Sequence, residues 1–404
     1  MAQLHFTLDY DFFIGLFSNS KEEAFSKLME VMLNQVLKAE SSEQLGAQNY
    51  ERSDDRTDYR NGSRTRSLTT RIGKIELEVP RHRNVPFKTV LFENYKRNEQ
   101  ALIATMMEMV VQGVSTRSVQ KVTEELCGEK FSKSTVSEIC RELDGPVKNF
   151  KNRLLPEKYA FIMADAMYIK IREDHRIRSH ALYIALGINN DGRKEILGFD
   201  IYESERKDSW KEFFEGLKTR GLRGVDIITS DAHTGLVDAI KECFPGASWQ
   251  RCQAHFLRNI LDKCPKRFMA GLGSELTTMF NTVTIEEARR IKDSIMEEYS
   301  SVAPDSMQVL DEGFEDCMTI MALPKKYRLA LRTTNILERE NGEVRKREKI
   351  IKIFPNKESA IRLLGAILLD DHNDWMMAFR VFNMTEYLES EALILRRLQA
   401  IKVA

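Results

Sequence analysis

The chain has little proline and cysteine, with nine and six residues among 404, and no net charge, since 61 Lys and Arg balance 61 Asp and Glu. So few prolines, with 20 glycines, exclude a collagen-like or low-complexity sequence. Six scattered cysteines exclude a small disulfide scaffold and indicate reduced thiols in a cytoplasm. No secretory signal is recognisable, and no apolar run approaches the roughly 20 residues of a membrane span. We therefore expect a soluble cytoplasmic protein of two or three domains.

The neutral total hides an uneven distribution of charge along the chain. Residues 56–97 contain eleven basic and four acidic side chains. Such a basic segment favours a nucleic-acid partner, although a solvated loop and hairpin would have the same composition. Within it, apolar and polar residues alternate over 71–80, which predicts a short exposed strand.

Helical patterns surround this basic segment. Apolar residues recur every three or four positions over 21–46, which predicts an amphipathic helix. Residues 99–149 divide into three helical pieces, with Gly113 after the first, Ser115 at the start of the second and Ser132 or Ser134 at the start of the third. The outline is that of a helix-turn-helix, and a small helical bundle would have the same pattern.

Two aspartates mark a predicted α/β region. Asp165 lies in an apolar strand over 159–172, where a buried carboxylate needs a cation or a donor. Asp231 ends a second apolar strand, 225–230, where it is either a site residue or the cap of the next helix. The other predicted elements are strands over 181–188 and 195–202 joined by a turn at 189–192, and helices over 209–219 and 236–243. This order is typical of a ribonuclease-H-like sheet, in which both carboxylates lie close enough to hold Mg²⁺ or Mn²⁺.

Glu338 is the third candidate carboxylate. With Asn335 it also fits a capping box, so the residue types alone leave a purely structural role open. Glu338, Asn341 and Arg345 nevertheless share one helix face, and residues 325–352 contain ten basic side chains against four acidic ones. A carboxylate on a basic helix suits a metal ligand beside phosphate-binding arginines.

Several strings in this order resemble the bacterial insertion-sequence branch of the Mutator-like DDE transposases. They are YRNGSRTRSL (59–68), LEVPRHR (77–83), QGVSTRSVQKVTEEL (112–126), DAMYIK (165–170), SDAHTGL (230–236), RCQAHFLRN (251–259), TTNILERENGEVRKR (333–347) and IFPN (353–356). The resemblance spans about residues 20–375.

The resemblance implies a catalytic and metal-binding triad of Asp165, Asp231 and Glu338, with Mg²⁺ or Mn²⁺ as cofactor. Cys252 and His255 match a Cys-x-x-His motif of the family. A zinc site there would need two more ligands, so we expect these two residues to support the active site. His233, Asn335 and Asn341 are further expected supporting residues. The expected DNA contacts are Arg60, Arg64, Arg66, Arg81, Arg83, Arg117, Lys133, Arg339, Arg345 and Arg347.

The resemblance also implies a domain order and a function. We expect an N-terminal DNA-binding region (1–98), a helix-turn-helix (99–152), a ribonuclease-H-like catalytic domain (153–265 and 327–375), a helical insertion (266–326) and a C-terminal helical tail (376–404). The expected protein is a cytoplasmic, nucleoid-associated homodimeric transposase with no membrane partner. It binds double-stranded DNA, both terminal inverted repeats and target, and catalyses strand cleavage and transfer. The alternatives are a ribonuclease-H-like nuclease or resolvase without strand transfer, and a non-catalytic DNA-binding regulator.

Overall fold

The computed structural model describes residues 21–51, 55–70, 73–89, 100–127 and 131–403. The chain divides into two compact units, residues 1–142 and 143–404. Each unit is described by itself below. Within the described residues, no helix is long and apolar enough to cross a membrane.

The first unit begins with helix α1 (Lys21–Leu45), followed by the antiparallel strands β1 (Arg60–Thr70) and β2 (Gly73–His82). The predicted helix over 21–46 is therefore confirmed. The predicted exposed strand over 71–80 is a strand with one buried side, because Ile75, Leu77 and Val79 alternate inwards against Leu37 of α1. Arg71, Lys96 and Arg97 of the basic segment lie outside the described residues.

Three helices complete the first unit: α2 (Gln100–Val111), α3 (Thr116–Cys127) and α4 (Lys133–Ile139). Gly113 ends the first with a positive φ of 88°. The Ser115 hydroxyl accepts a hydrogen bond from Ser118 N (3.2 Å), and the Ser132 hydroxyl accepts one from Thr135 N (3.1 Å). These bonds satisfy amides that the first helical turn leaves without partners. The three predicted helical pieces and their serine caps are therefore confirmed.

The second unit contains helix α5 (Asp144–Asn152) and a five-stranded mixed sheet. The strands are β3 (Lys158–Glu173), β4 (Arg176–Ile188), β5 (Lys194–Tyr202), β6 (Gly224–Ser230) and β7 (Ser248–Arg251), in the order β5-β4-β3-β6-β7. β3, β4 and β5 pair antiparallel, whereas β6 is parallel to β3 and to β7. The turn predicted at 189–192 joins β4 to β5, with Gly192 at a φ of 79°. All four predicted strands are present.

Helices cover both sides of this sheet. Helices α6 (Lys207–Thr219) and α7 (Thr234–Cys243) pack on one side, where Trp210 stacks on Tyr183 with ring centroids 3.7 Å apart. On the other side, Phe161 of β3 contacts Tyr327 and Tyr387. Those two residues belong to α12 (Lys325–Leu331) and α15 (Thr385–Val403). The apolar strand residues are thereby buried from both sides, which explains why β3 lacks a strict alternation of polar and apolar residues.

A group of helices with its own core separates β7 from α12. It comprises α8 (Gln253–Asp262), α9 (Met269–Phe280), α10 (Ile285–Tyr299) and α11 (Pro304–Met318). The two ends of this helical segment lie next to each other at the sheet, because the Gln250 side chain of β7 donates a hydrogen bond to Cys317 O (2.7 Å) and accepts one from Ile320 N (2.6 Å). Helices α13 (Asn335–Ile351) and α14 (Lys357–Met377) then follow α12.

Candidate active site

Asp165 and Asp231 lie at the same level of two neighbouring strands. β3 and β6 pair in parallel with Met163 opposite Thr229, an offset of 66 residues that also separates Asp165 from Asp231. Neighbouring strands are about 4.8 Å apart, and residues two positions along a strand point to the same side. The sheet thus brings two carboxylates together from distant parts of the chain.

The electrostatics of Asp165 reflect this proximity. Burial, and then the negative charge of Asp231, raise the pKa of Asp165 to about 7, while the charge of His255 opposes the shift. Asn341 Nδ2 donates a hydrogen bond to Asp165 Oδ2 at 2.8 Å. The half-buried carboxyl is therefore held in place by an amide, and the charge of His255 offsets only part of the effect of burial and of Asp231.

Glu338 lies in the first turn of α13, and it does not form the capping box that its sequence permits. The cap residue of this helix is Thr334, which makes no side-chain capping bond, and Asn335 is the exposed first residue of the helix. Glu338 Oε1 is buried without a hydrogen-bond partner, 3.5 Å from His255 Nε2. The charged imidazole of His255 faces this oxygen, and 36% of the Glu338 side chain is exposed, so the carboxylate remains accessible to a further ligand.

Asp231 also differs from a simple helix cap. Its Oδ1 accepts a hydrogen bond from His233 N at 3.2 Å, but the cap position of α7 is occupied by His233 itself. His233 Nδ1 lies 3.5 Å from Glu205 Oε1. The half-buried Asp231 carboxylate therefore follows β6 directly and stays outside the helix that comes next.

Cys252 and His255 connect the sheet to α13. The buried Cys252 accepts hydrogen bonds at Sγ from Thr334 N (3.4 Å) and Thr334 Oγ1 (3.3 Å), and its own amide donates to Ser230 O (2.8 Å). The hydrogen bond between Cys252 and His255 is the main cause that raises the pKa of His255 to about 9, and burial of the imidazole opposes this shift. The ligating atoms of Cys252, His255 and Glu338 lie within 4.8 Å of one another.

Cys243 and Cys264, the cysteines nearest to Cys252 in the sequence, lie elsewhere. Cys243 packs in the core under α6 and α7, and Cys264 packs in the core of the helical group. Neither thiol therefore belongs to the group of ligating atoms that Cys252, His255 and Glu338 form. The contacts of Cys252 and His255 position the start of α13, and with it Glu338.

Glu205 is a neighbour of this site that the sequence patterns do not indicate. Its largely buried carboxylate accepts a hydrogen bond from Trp210 Nε1 at 3.2 Å. Burial is the main cause that raises the pKa of Glu205, and the charge of Asp231 adds to it. The residue lies in the loop between β5 and α6, where neither spacing nor periodicity distinguishes one acidic residue from the next.

Comparisons with known proteins identify the family to which the chain belongs. The profile described as "Transposase, Mutator family" matches residues 11–378. The chain belongs to the Mutator family of transposases. It is 44% identical over 386 residues to the transposase for insertion sequence element IS256 in transposon Tn4001 of Staphylococcus aureus. That alignment covers 95% of this chain and 99% of the relative. The transposase for ISRM5 of Rhizobium meliloti is 42% identical, with 94% and 95% covered.

Among solved structures, the chain aligns with the Drosophila P element transposase strand transfer complex. That alignment has a TM-score of 0.29 and 12% identity, and it covers 76% of this chain and 92% of the other. The resemblance to insertion-sequence transposases that the sequence motifs indicate is confirmed by the family match and the curated relatives.

The basic residues of this transposase differ in their surroundings. In the second unit, Arg339 and Arg345 are exposed on α13, whereas Arg347 is half-buried and lies 3.7 Å from Glu343. In the first unit, Arg64 and Arg81 are exposed at the rim of one surface cavity, and Arg66 is half-buried. Arg83, Arg117 and Lys133 are exposed as well. The exposed side chains are accessible to phosphates.

Arg60 is bound within the first unit. Its guanidinium donates hydrogen bonds to Ala47 O (2.8 Å), Gln48 O (3.1 Å) and Ser42 Oγ (2.9 Å), which fasten β1 to the end of α1. We expect Arg60→Ala to lower the free energy of unfolding by about 1–2 kcal/mol, because charge-assisted bonds to carbonyls are lost. Arg64→Ala should leave stability unchanged and weaken DNA binding. Thermal melts and salt titrations of binding would compare the two variants; equal stability of both would contradict the assignment of Arg60.

Proposed function

We propose that the protein is a DDE transposase that binds the terminal inverted repeats of its element and catalyses metal-dependent strand cleavage and strand transfer. The observation that carries the proposal is the convergence of Asp165, Asp231 and Glu338 in one unit. Asp165 has a raised pKa to which the charges of Asp231 and Glu338 both contribute, and Glu338 Oε1 lies 3.5 Å from His255. The membership of the Mutator family supports the same activity.

The donor set suits a hard divalent cation. Mg²⁺ and Mn²⁺ prefer carboxylate oxygens, and the three proposed ligands provide such oxygens in a site where the charges of Asp231 and Glu338 both raise the pKa of Asp165. We propose that these residues hold two ions, which would activate water or a DNA 3′-hydroxyl and stabilise the leaving oxygen. Repulsion among the carboxylates favours cation binding, because a cation relieves it.

The remaining side chains prepare this site. Asn341 orients the Asp165 carboxylate through its 2.8 Å hydrogen bond. Cys252 and Thr334 fix the first turn of α13, so that Glu338 is presented at a defined position. His255, with a pKa of about 9, carries a positive charge at neutral pH and offsets part of the negative charge. No side chain needs to act as a nucleophile in this scheme.

The strand order supports a ribonuclease-H-like catalytic domain. Three antiparallel strands are followed by parallel strands, and the carboxylates lie on β3 and directly after β6. We propose that this domain comprises 153–265 and 327–375, interrupted by a helical insertion over 266–326 and followed by the tail 376–404. We also propose that 1–98 and the helix-turn-helix of 99–152 bind the terminal repeats as part of a homodimer, since two ends must be paired.

One assay tests the activity. Purified protein is incubated with Mg²⁺, labelled terminal-repeat DNA and a target plasmid. Joined products are expected. Cleavage without joining would favour a nuclease or resolvase, and binding without cleavage would favour a non-catalytic regulator; either outcome contradicts the proposal. Omission of Mg²⁺ and addition of a chelator provides the matched control.

A further inference from the structure

Three side chains where α8 meets α13 form a ligand set that differs from the three carboxylates. Cys252 Sγ, one ring nitrogen of His255 and one carboxylate oxygen of Glu338 all lie within 4.8 Å of one another. Cys252 and His255 belong to the start of α8, and Glu338 belongs to the first turn of α13. The Cys-x-x-His spacing indicates only the first two ligands. Folding brings Glu338 to them as a third.

The separations of these atoms suit a tetrahedral cation. Zn²⁺ binds nitrogen and oxygen at about 2.1 Å and sulfur at about 2.3 Å, so its ligand atoms lie roughly 3.4–3.6 Å apart. His255 Nε2 and Glu338 Oε1 have this separation in the metal-free protein, at 3.5 Å. The other separations are at most 4.8 Å, and movements of about 1 Å bring them into the same range. One water molecule would complete the four ligands, as in open zinc sites.

The surroundings of Cys252 prepare its sulfur for a cation. Cys252 is fully buried, and its Sγ accepts hydrogen bonds from Thr334 N (3.4 Å) and Thr334 Oγ1 (3.3 Å). Donors of this kind orient a metal ligand and stabilise its thiolate form. The side chains of His255 and Glu338 are 24% and 36% exposed. A hydrated ion can therefore enter from their side and keep one of its waters.

The charges of the three ligands match a divalent cation. A thiolate and a carboxylate together neutralise its two charges, and a neutral imidazole adds none. In the metal-free protein the charged imidazole of His255 contacts both Cys252 and Glu338. Zn²⁺ would replace the imidazole proton, which passes to solvent. Thiolate sulfur selects Zn²⁺ over Mg²⁺, whereas Asp165 and Asp231 offer oxygens, which suit Mg²⁺.

We propose that Cys252, His255 and Glu338 form a Zn²⁺ site that competes with the Mg²⁺ site for Glu338, so that Zn²⁺ inhibits the transposase. With Oε1 bound to Zn²⁺, Glu338 has one oxygen left for Mg²⁺, and the charge of Zn²⁺ repels a second cation nearby. The binding of Zn²⁺ follows from the contacts of these three residues alone. The inhibition rests on the proposed function, because it takes Glu338 as a ligand of the catalytic cation.

Co²⁺ tests the ligands directly, because a thiolate bound to tetrahedral Co²⁺ gives a charge-transfer band. Wild type should show this band, one equivalent of Zn²⁺ should remove it, and Cys252→Ser should lack it. His255→Gln and Glu338→Gln keep the thiol and its contacts with Thr334, and they should raise the dissociation constant for Zn²⁺ about 100-fold or more. The control is Cys264→Ser, which removes a thiol in the core of the helical group and should leave the band unchanged. Thermal melts establish that each variant is folded.

The competition is measured with Mn²⁺, because the free ion gives an EPR signal that is lost on binding. One equivalent of Zn²⁺ should raise the dissociation constant for Mn²⁺ by roughly tenfold or more in wild type and in Cys264→Ser. The same addition should have little effect on Mn²⁺ binding to Cys252→Ser or His255→Gln. Joining by wild type in Mg²⁺ should fall as Zn²⁺ is added, and more Mg²⁺ should restore it.

The outcomes separate this inference from the proposed function. A wild type without the thiolate band, or a band that persists in folded Cys252→Ser, would overturn the site. Unchanged Zn²⁺ affinity in both His255→Gln and Glu338→Gln would do the same. Bound Zn²⁺ that leaves Mn²⁺ affinity and joining unaltered would overturn the competition. If wild type joins no ends in Mg²⁺ alone, the proposed function fails, and the Co²⁺ and Mn²⁺ measurements still decide the Zn²⁺ site.

Discussion

Asp165→Asn, Asp231→Asn and Glu338→Gln are each expected to reduce cleavage and joining by about 10³-fold or more while terminal-repeat binding persists. Each change keeps the shape of the side chain and removes one negative charge from the proposed cation site. Folding should be preserved, because these carboxylates repel one another in the metal-free protein. Gel analysis of joined products, together with binding measured by mobility shift, provides both readouts.

The control is Asp311→Asn, which removes an exposed carboxylate in α11 that pairs with Lys292. It should leave joining within a few-fold of wild type. Full joining activity in any of the three triad variants would remove that residue from the proposed triad. Equal losses of binding and joining would instead indicate that the residue supports the fold.

Lowering the pH below 7 is expected to weaken Mg²⁺ or Mn²⁺ binding by about tenfold per pH unit. The pKa of Asp165 is raised from 3.8 to about 7 by burial and then by Asp231, so the carboxyl holds a proton below that pH. A cation must displace this proton, whereas above pH 7 no proton opposes it. Mn²⁺ titrations from pH 5.5 to 8.5 would show the change in slope near pH 7, and constant affinity across this range would contradict it.

The same shift predicts a change in stability for the metal-free protein. A raised carboxyl pKa contributes stability that is complete below about pH 4 and is lost as the pH rises through 7. Asp165→Asn should therefore be more stable than wild type at pH 8, by roughly 2 kcal/mol after allowance for solvent near this half-buried group. The difference should vanish towards pH 4, as measured by denaturant unfolding.

Much of the fold could be predicted from the sequence where burial imposes a pattern. The apolar strands around Asp165 and Asp231, the turn ending at Gly192 and the serine caps all follow from local rules that tertiary packing does not overturn here. The extension of β3 and β4 over 173–180 was not predictable, because its exposed, charged residues have no apolar periodicity. Only backbone pairing and the turn at Asp174 identify it as a ribbon.

Side-chain partnerships were less predictable. Arg60 belongs to a basic segment, and nothing in that segment indicates that its guanidinium is bound by carbonyls of residues 47 and 48. The sequence allows Glu338 to be either a capping-box residue or a metal ligand. Which of the two it can be depends on the position of Thr334, whose hydroxyl donates a hydrogen bond to Cys252, and the Cys252 amide in turn donates to Ser230 at the end of β6. Contacts between residues far apart in sequence decided these roles, and local patterns do not contain that information.

The single junction at which the helical group leaves and rejoins the sheet has a consequence for how this enzyme can change. Gln250 bonds to residues 317 and 320, so residues 251–316 form a closed excursion. The entropy of closing such a loop grows slowly with its length. An excursion of another size that keeps these two endpoints together with Cys252 and His255 would therefore leave Asp231 and Glu338 in place. Helices α9, α10 and α11 are thus a part of the chain that can diversify while the carboxylate geometry is retained.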